Sequence, residues 1–297
     1  MGWNERVIKE FRENNGKVGG VFEGTDLVLL TTAGRRTGRP HTTPVVCLRD
    51  SGRHLVFASN GGGPDHPDWY LNLVASPQAT VETGTEEGRV KPFAARAVVL
   101  EGEERDRLYE AQSALDGAFR EYGRRTARII PVVALHPLDL SVDPDRNRMI
   151  GRQLLVHHAE LRAELAGIRS AFEGIGPDGG GVDRRPDADP GWQLRRRCLT
   201  FCYGLQMHHT REDGAFTAFE QQFPHLVPVI ARLREEHRVV ESALARLEEL
   251  LERGEAAEEG GLAGLRAEFG RTIDGLEEHF AREEEYLLPA LDVPRPS

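Results

Sequence analysis

Four segments in the C-terminal half of this 297-residue chain carry histidine beside an apolar stripe of helical spacing, and three of them add a glutamate four residues on. His158 lies on the first segment, His208, His209 and Glu212 on the second, His237 and Glu241 on the third, and His279 and Glu283 on the fourth. A helix turns about 100° per residue, so residues four apart lie about 40° apart on one face and about 6 Å along the axis. His208/Glu212, His237/Glu241 and His279/Glu283 can therefore each present an imidazole and a carboxylate side by side. One such pair on a charged helix is more often a solvated pair, and His157 or His209 alone reads as an exposed neighbour. Recurrence on four amphipathic segments favours an up-down four-helix bundle that aims these groups at one point. A mixed nitrogen and oxygen cage suits iron, with manganese as the alternative, and bundle cores are where two-metal carboxylate sites are built.

The stretches LLVHHAELRAEL, LQMHHTREDGAF, LREEHRVVESAL and LEEHFAREEEYLLPAL resemble the hemerythrin-like (HHE cation-binding) family over about residues 148–291. The resemblance implies a two-iron centre held by His158, His208, Glu212, His237, Glu241, His279 and Glu283. His209, about 100° round from His208, stays on the inward side as an extra or substitute ligand. Oxygen-carrying members place a second histidine one turn after the third-helix histidine, where this chain has Glu241. On that reading the site is carboxylate-rich, which favours oxidised metal over reversible oxygen carriage, and Glu212 and Glu241 are its catalytic carboxylates.

The length predicts two domains. A net charge of −10 argues against a general nucleic-acid binder, which must neutralise phosphates. No run of 18 apolar residues predicts a membrane span, and the start, MGWNERVIKEFRENNG, lacks the apolar core of a signal peptide. Three cysteines, Cys47, Cys198 and Cys202, fit a reducing cytoplasm.

The first half reads as α+β. Strands are expected at Leu27–Thr32, Thr43–Leu48, His54–Ser59, Ala79–Thr83, Pro92–Leu100 and Ile129–Leu135, with a hairpin turn at Asp50-Ser51-Gly52. Helices are expected to about Asn14, over Asp68–Ala75, and from Glu103 to about Tyr122. After Leu140 the period becomes helical, following a polar bridge, SVDPDRNRM, in which Pro144 and the charges read as a linker. Residues 1–145 are thus expected to form one domain and 146–297 the bundle, with a flexible connection over Glu173–Gly191.

Two segments of the first half carry chemistry. TTAGRRTGRPHTTP follows a strong strand and gathers Arg35, Arg36 and Arg39 around Gly34 and Gly38 in an otherwise acidic chain. Guanidinium groups with backbone amides freed at glycine turns make an anion site, although a charged hairpin tip would look the same. FASNGGGPDHPDWYLNLVASP runs from a strand into Gly61–Gly63, which allow close approach of a flat ligand, and then into a helix with Trp69 and Asn72. A glycine-rich loop over a core tryptophan is the plainer alternative.

Together with GGVFEGTDLVLL and RIIPVVALHP, these segments resemble the deazaflavin-dependent nitroreductase family, over about residues 10–138. The resemblance implies a split β-barrel like that of FMN-binding proteins, and F420 in preference to FMN. Arg35, Arg36, Thr37, Gly38 and Arg39 would hold the phosphate and acidic tail of the coenzyme. Pro44, Ala58, Ser59, Asn60, Gly61 and Gly62 would line the deazaflavin ring, with Trp69 and Asn72 supporting the loop. Asn60 stands where several members carry lysine. Nitro-reducing members carry tyrosines spaced by three before the last strand; here only Tyr122 matches and remains a catalytic candidate, with Phe119 and Asp116 at the other two positions. The coenzyme site carries over better than the nitro-substrate site.

The whole chain is expected to be a two-domain redox enzyme, an F420H2-dependent oxidoreductase coupled to a non-haem diiron centre that activates O2 or oxidises a small organic substrate. The alternative is a bundle that senses or stores O2, NO or iron, fused to a simple F420 or FMN reductase. The partners expected are a small-molecule substrate and O2, with no nucleic acid; a homodimer is compatible with the sequence, which does not fix the oligomeric state.

Overall fold

The computed structural model describes residues 2–174, 190–252 and 261–294. The chain divides into two compact units, one of residues 1–139 with 210–218 and the other of residues 140–209 with 219–297.

Six strands form the first unit: β1 (Leu27–Ala33), β2 (Pro40–Asp50), β3 (Arg53–Phe57), β4 (Gln78–Gly84), β5 (Val90–Leu100) and β6 (Val132–Pro137). They close into an antiparallel barrel in the order β1-β2-β3-β6-β5-β4, and pairing of β1 with β4 leaves no free edge. The continuous apolar run of β1 reflects burial on both faces. Val28 and Leu30 join the barrel interior with Val45, Val56 and Val133, while Leu27 and Leu29 pack beneath α1 (Trp3–Glu13) against Val7 and Phe11.

The β2–β3 turn is the two-residue hairpin that Ser51-Gly52 predicts, with φ of 50° and 78°, the left-handed pair whose twist matches the strands. Strand β6 starts three residues later than expected, since Pro131 has no amide to give the ladder and Ile129 is exposed. Helix α2 (Asp68–Ala75) forms as predicted and packs Trp69 and Leu73 into the barrel interior. The single helix expected after Glu103 is instead two, α3 (Gly102–Leu115) and α4 (Gly117–Arg125). Asp116 breaks the run by adopting extended geometry and capping α4, its carboxylate accepting from the amide of Ala118 at 2.9 Å.

The second unit is helical: α5 (Pro144–Gly174), α6 (Pro190–Gln222), α7 (Val227–Glu252), α8 (Gly261–Asp274) and α9 (Leu276–Ala290). Pro144 proves to be the first residue of α5 and not part of a linker. Proline suits that position because its missing amide would be unpaired anyway, and Asp143 caps the helix by accepting from the amide of Arg146 at 3.0 Å. Of the connection expected at Glu173–Gly191, residues 175–189 lie outside the described residues. The fourth expected helix, on LEEHFAREEEYLLPAL, is α9, and α8 precedes it as a helix the sequence reading did not place. No described helix is long and apolar enough to cross a membrane.

Buried residues on α7 recur at Leu233, His237, Val240, Leu244, Leu247 and Leu251, alternating steps of four and three that keep one stripe facing the core. The stripe of α6 runs through Cys198, Cys202 and Leu205 into His208, His209, Glu212 and Phe216; that of α9 runs through Leu276, His279, Phe280, Glu283 and Leu287. The polar groups thus continue the apolar seams, and helix packing buries them.

Candidate metal centre and coenzyme cavity

Seven side chains from α5, α6, α7 and α9 converge among these helices. Their donor atoms form two groups, each within 4.8 Å: His209, Glu212, His237 and His279, and His158, His208, Glu212 and Glu283. All seven residues are buried. Glu212 belongs to both groups. Glu283 also spans them, its carboxylate oxygens lying 3.2 Å from Nε2 of His158, 3.3 Å from Nε2 of His237 and 3.2 Å from Nε2 of His279.

Protonation inside this cluster points to a cation. Nδ1 of His158 lies 2.8 Å from Glu284 Oε1, and Nδ1 of His279 lies 2.9 Å from Glu236 Oε2. An ionised carboxylate only accepts, so each Nδ1 carries the proton and each Nε2 lone pair faces inward. Both Nε2 atoms, Nε2 of His209 and Oε2 of Glu283 lack a hydrogen-bond partner among the described residues. Buried lone pairs facing a carboxylate are costly unless a metal joins them. Burial also holds His208 and His209 well below the ordinary imidazole pKa, in the neutral form that binds metal. For Glu283 burial pushes the carboxyl up, but the surrounding imidazoles of His158, His237 and His279 outweigh it and hold the group well below the usual range. The donor set fits two metal ions sharing Glu212 and Glu283.

Glu241 is a correction to the sequence reading. The buried stripe of α7 steps from His237 to Val240 and Leu244, so the position four residues after His237 falls on the solvent flank, and Glu241 is exposed. It belongs to neither donor group. His209 fills the cage instead, its ring stacked on that of His237 with centroids 4.1 Å apart. The centre therefore holds five histidines and two glutamates, and the argument from a carboxylate-rich site against reversible oxygen carriage lapses.

In the barrel unit, a cavity of about 540 Å³ opens between the β1–β2 turn, the start of β2 and α2. Arg35, Arg36, Thr37, Asn60, Trp69 and Asn72 line it. The turn is closed by Gly38 N donating to Gly34 O at 2.7 Å and Gly34 N donating to Arg39 O at 2.8 Å, with Gly38 at φ 71°. A Cβ at position 34 would stand 2.9 Å from the His41 ring and 3.2 Å from Arg39 O, so a side chain there would displace the His41 ring. Buried Asn72 anchors the turn, accepting from the Arg35 amide and donating to Thr32 Oγ1, each at 3.1 Å. The Arg35 guanidinium meets Asp68 Oδ1 at 2.8 Å and holds that carboxyl below its usual range. A volume in the range of small-molecule sites, with two guanidinium groups at its wall, fits an anionic ligand such as F420.

The other predicted coenzyme residues, Gly38, Arg39, Pro44, Ala58, Ser59, Gly61 and Gly62, are not among the residues lining this cavity. Gly38 and Arg39 complete the arginine turn, and Pro44 is buried in β2 opposite Leu29. Ala58, Ser59, Gly61 and Gly62 shape the loop after β3, where Asn60, Gly61 and Gly62 take φ of 49°, 61° and 79°. Tyr122 is not among the lining residues. Its ring packs on Phe119 at 5.5 Å beside the core and its backbone abuts Gly62, so the structure does not bring it to the cavity wall. Sequence reasoning missed Asn4, His41, Thr42, Thr43 and Asp68 on the cavity wall, and Arg128 behind the loop. Arg128 donates to Ser59 O at 2.8 Å and Gly63 O at 3.1 Å, and lies 3.2 Å from His66 Nδ1. A lone arginine before β6 gives no sequence signal of that reach.

The family described as F420H(2)-dependent quinone reductase matches residues 3–137, and the hemerythrin HHE cation binding domain matches residues 149–291. F420H(2)-dependent quinone reductases from two strains of Mycobacterium tuberculosis are each 34% identical to this chain over 129 residues, covering 42% of it and 83% of the relative. A solved F420-H2 dependent reductase, FDR-A, is 34% identical, covers 37% of this chain and 93% of its own, and has a TM-score of 0.33. The chain thus belongs to the F420H2-dependent quinone reductase family of oxidoreductases through its barrel, and carries a hemerythrin-like domain beyond it.

Proposed function

We propose that this protein reduces a quinone-class acceptor with F420H2 in a domain of residues 1–145, and holds a two-iron, O2-reactive centre in residues 146–297. The observation that carries the reading is the pair of buried donor groups sharing Glu212, on a chain whose barrel has an arginine-walled cavity. Reduced F420 supplies a hydride donor, and iron supplies one-electron and dioxygen chemistry. The chain's own part is positional. Arg35 and Arg36 bind the anionic tail of the coenzyme, Asn72 and Thr32 fix the turn that presents them, and the Asn60–Gly62 loop shapes the ring end. His158, His208, Glu212 and Glu283 would hold one metal and His209, Glu212, His237 and His279 the other. Five histidines leave room for reversible binding of O2 or NO, and this favours sensing or storage by the bundle over an obligatory oxidising step on the same substrate.

Two measurements test the reading on the full chain. Elemental analysis should give two iron ions per chain, falling below two in His279→Ala and Glu283→Ala. Titration with F420 should weaken in the Arg35→Ala/Arg36→Ala double variant, and for the wild type as salt rises. Two ions retained in both metal variants, or coenzyme affinity indifferent to both arginines and salt, would overturn the corresponding half. Comparing acceptor reduction under air and nitrogen, with and without iron, separates coupled domains from independent ones.

A further inference from the structure

Two carboxylates that belong to neither donor group stand directly behind it. Glu284 Oε1 lies 2.8 Å from Nδ1 of His158, a member of one group, and Glu236 Oε2 lies 2.9 Å from Nδ1 of His279, a member of the other. Each carboxylate is held in turn. Arg162 Nη1 donates to Glu284 Oε1 at 2.9 Å while its Nε donates to Glu277 at 2.9 Å. Arg232 Nε and Arg282 Nε donate to Glu236 Oε1 at 3.0 and 3.1 Å. An arginine–glutamate–histidine chain thus reaches inward twice, once for each metal position. Guanidinium contacts hold each carboxylate in place, where it accepts a hydrogen bond from Nδ1–H and so fixes the imidazole tautomer with Nε2 inward. A ring so fixed needs no reorientation when metal arrives, and the negative partner makes its Nε2 a stronger donor.

We infer that Glu236 and Glu284 are positioning residues of the metal centre, one for each ion, orienting and strengthening His279 and His158. The inference rests on the two-iron reading above. Its test loads the full chain with Fe(II) under nitrogen and follows iron retained against rising chelator. The proteins are wild type, E236A, E236Q, E284A, E284Q and the control E235Q, whose native glutamate is exposed and pairs with Arg238 at 2.6 Å. Each alanine variant is expected to hold one of its two ions about 10–100-fold more weakly, making release biphasic. The glutamines, whose amide oxygen still accepts from Nδ1, should fall between alanine and wild type, and they carry the test where alanine prevents folding. Carboxylates with a merely structural role would lower the melting temperature of the metal-free protein and leave the chelator curves superimposed. Superimposed curves for all four variants would overturn the inference while leaving the two-iron reading intact. A wild type that takes up no iron would overturn both.

Discussion

Replacing Arg128 by alanine should loosen the loop that frames the coenzyme cavity while the barrel stays folded. The guanidinium donates to the carbonyls of Ser59 and Gly63, which bracket three consecutive left-handed residues, Asn60, Gly61 and Gly62. Left-handed geometry is cheap for glycine but disfavoured for Asn60, so the loop relies on those two bonds to hold its shape. A hydrogen bond with a charged partner contributes about 1.5–3 kcal/mol. Arg128 is half-buried, and water replaces part of what is lost, leaving roughly 1–2 kcal/mol for the pair. At about 1.4 kcal/mol per factor of ten, the amides of Gly62 and Gly63, bonded to Ser59 O and Asn60 O, should exchange about 5–30-fold faster. Hydrogen exchange on the full chain measures this, with β1 amides as the internal reference. Arg128→Lys, a single point donor in place of a fork, should lie between. Exchange at Gly62 and Gly63 within twofold of wild type would refute the clamp.

Two other perturbations follow from the same geometry. Gly62→Ala places a Cβ in a left-handed residue, 3.0 Å from Tyr122 Cα and 3.1 Å from Tyr122 O, so the barrel should lose about 2–4 kcal/mol; a thermal transition unmoved by the substitution would show that α4 yields freely. Burial pushes the thiols of Cys47 and Cys198 up to about 12 and raises that of Cys202 as well, so native protein at pH 8 should resist a thiolate-specific reagent and react fully only once denatured. Because the folded state keeps these acids protonated, their contribution to stability is complete below pH 9 and is lost as pH rises from 9 towards 12. Prompt labelling of any of the three in the native protein would contradict this.

Much of the site was legible because periodicity is local and burial follows it. His158, His208, His237, His279 and Glu283 could be placed from spacing alone, since each continues an apolar stripe on its own helix. The strands of the barrel were equally readable, with a turn such as Ser51-Gly52 marking where one ends. What escaped depends on partners distant in sequence. Arg128 reaches back 69 residues to Ser59, and Glu284 lies 126 residues from the histidine it orients. Neither has a neighbour in the chain that reveals its task. Asp116 was missed for a different reason: its cap needs extended backbone, which a helical pattern on both sides conceals.

The assignment that changed most, Glu241 giving way to His209, supplies its own experiment. An i,i+4 pair leaves two choices of flank, about 40° either side of the stripe's axis, and spacing cannot say which flank the neighbouring helices cover. On α7 the stripe continues through Val240, which places Glu241 towards water. On α6 the adjacent histidines straddle the stripe, so both enter the core, one in each donor group. If geometry governs ligation, Glu241→Ala should retain both iron ions, with a stability change within about 0.5 kcal/mol, as for a surface substitution. His209→Ala should leave the group of Glu212, His237 and His279 one nitrogen short and release about one ion per chain, while the apo protein loses a buried Nε2 that has no hydrogen-bond partner among the described residues. Metal analysis of the two variants side by side decides between the readings. Iron lost from the glutamate variant and kept in the histidine variant would return Glu241 to the centre and, with it, the case for a carboxylate-rich oxidising site.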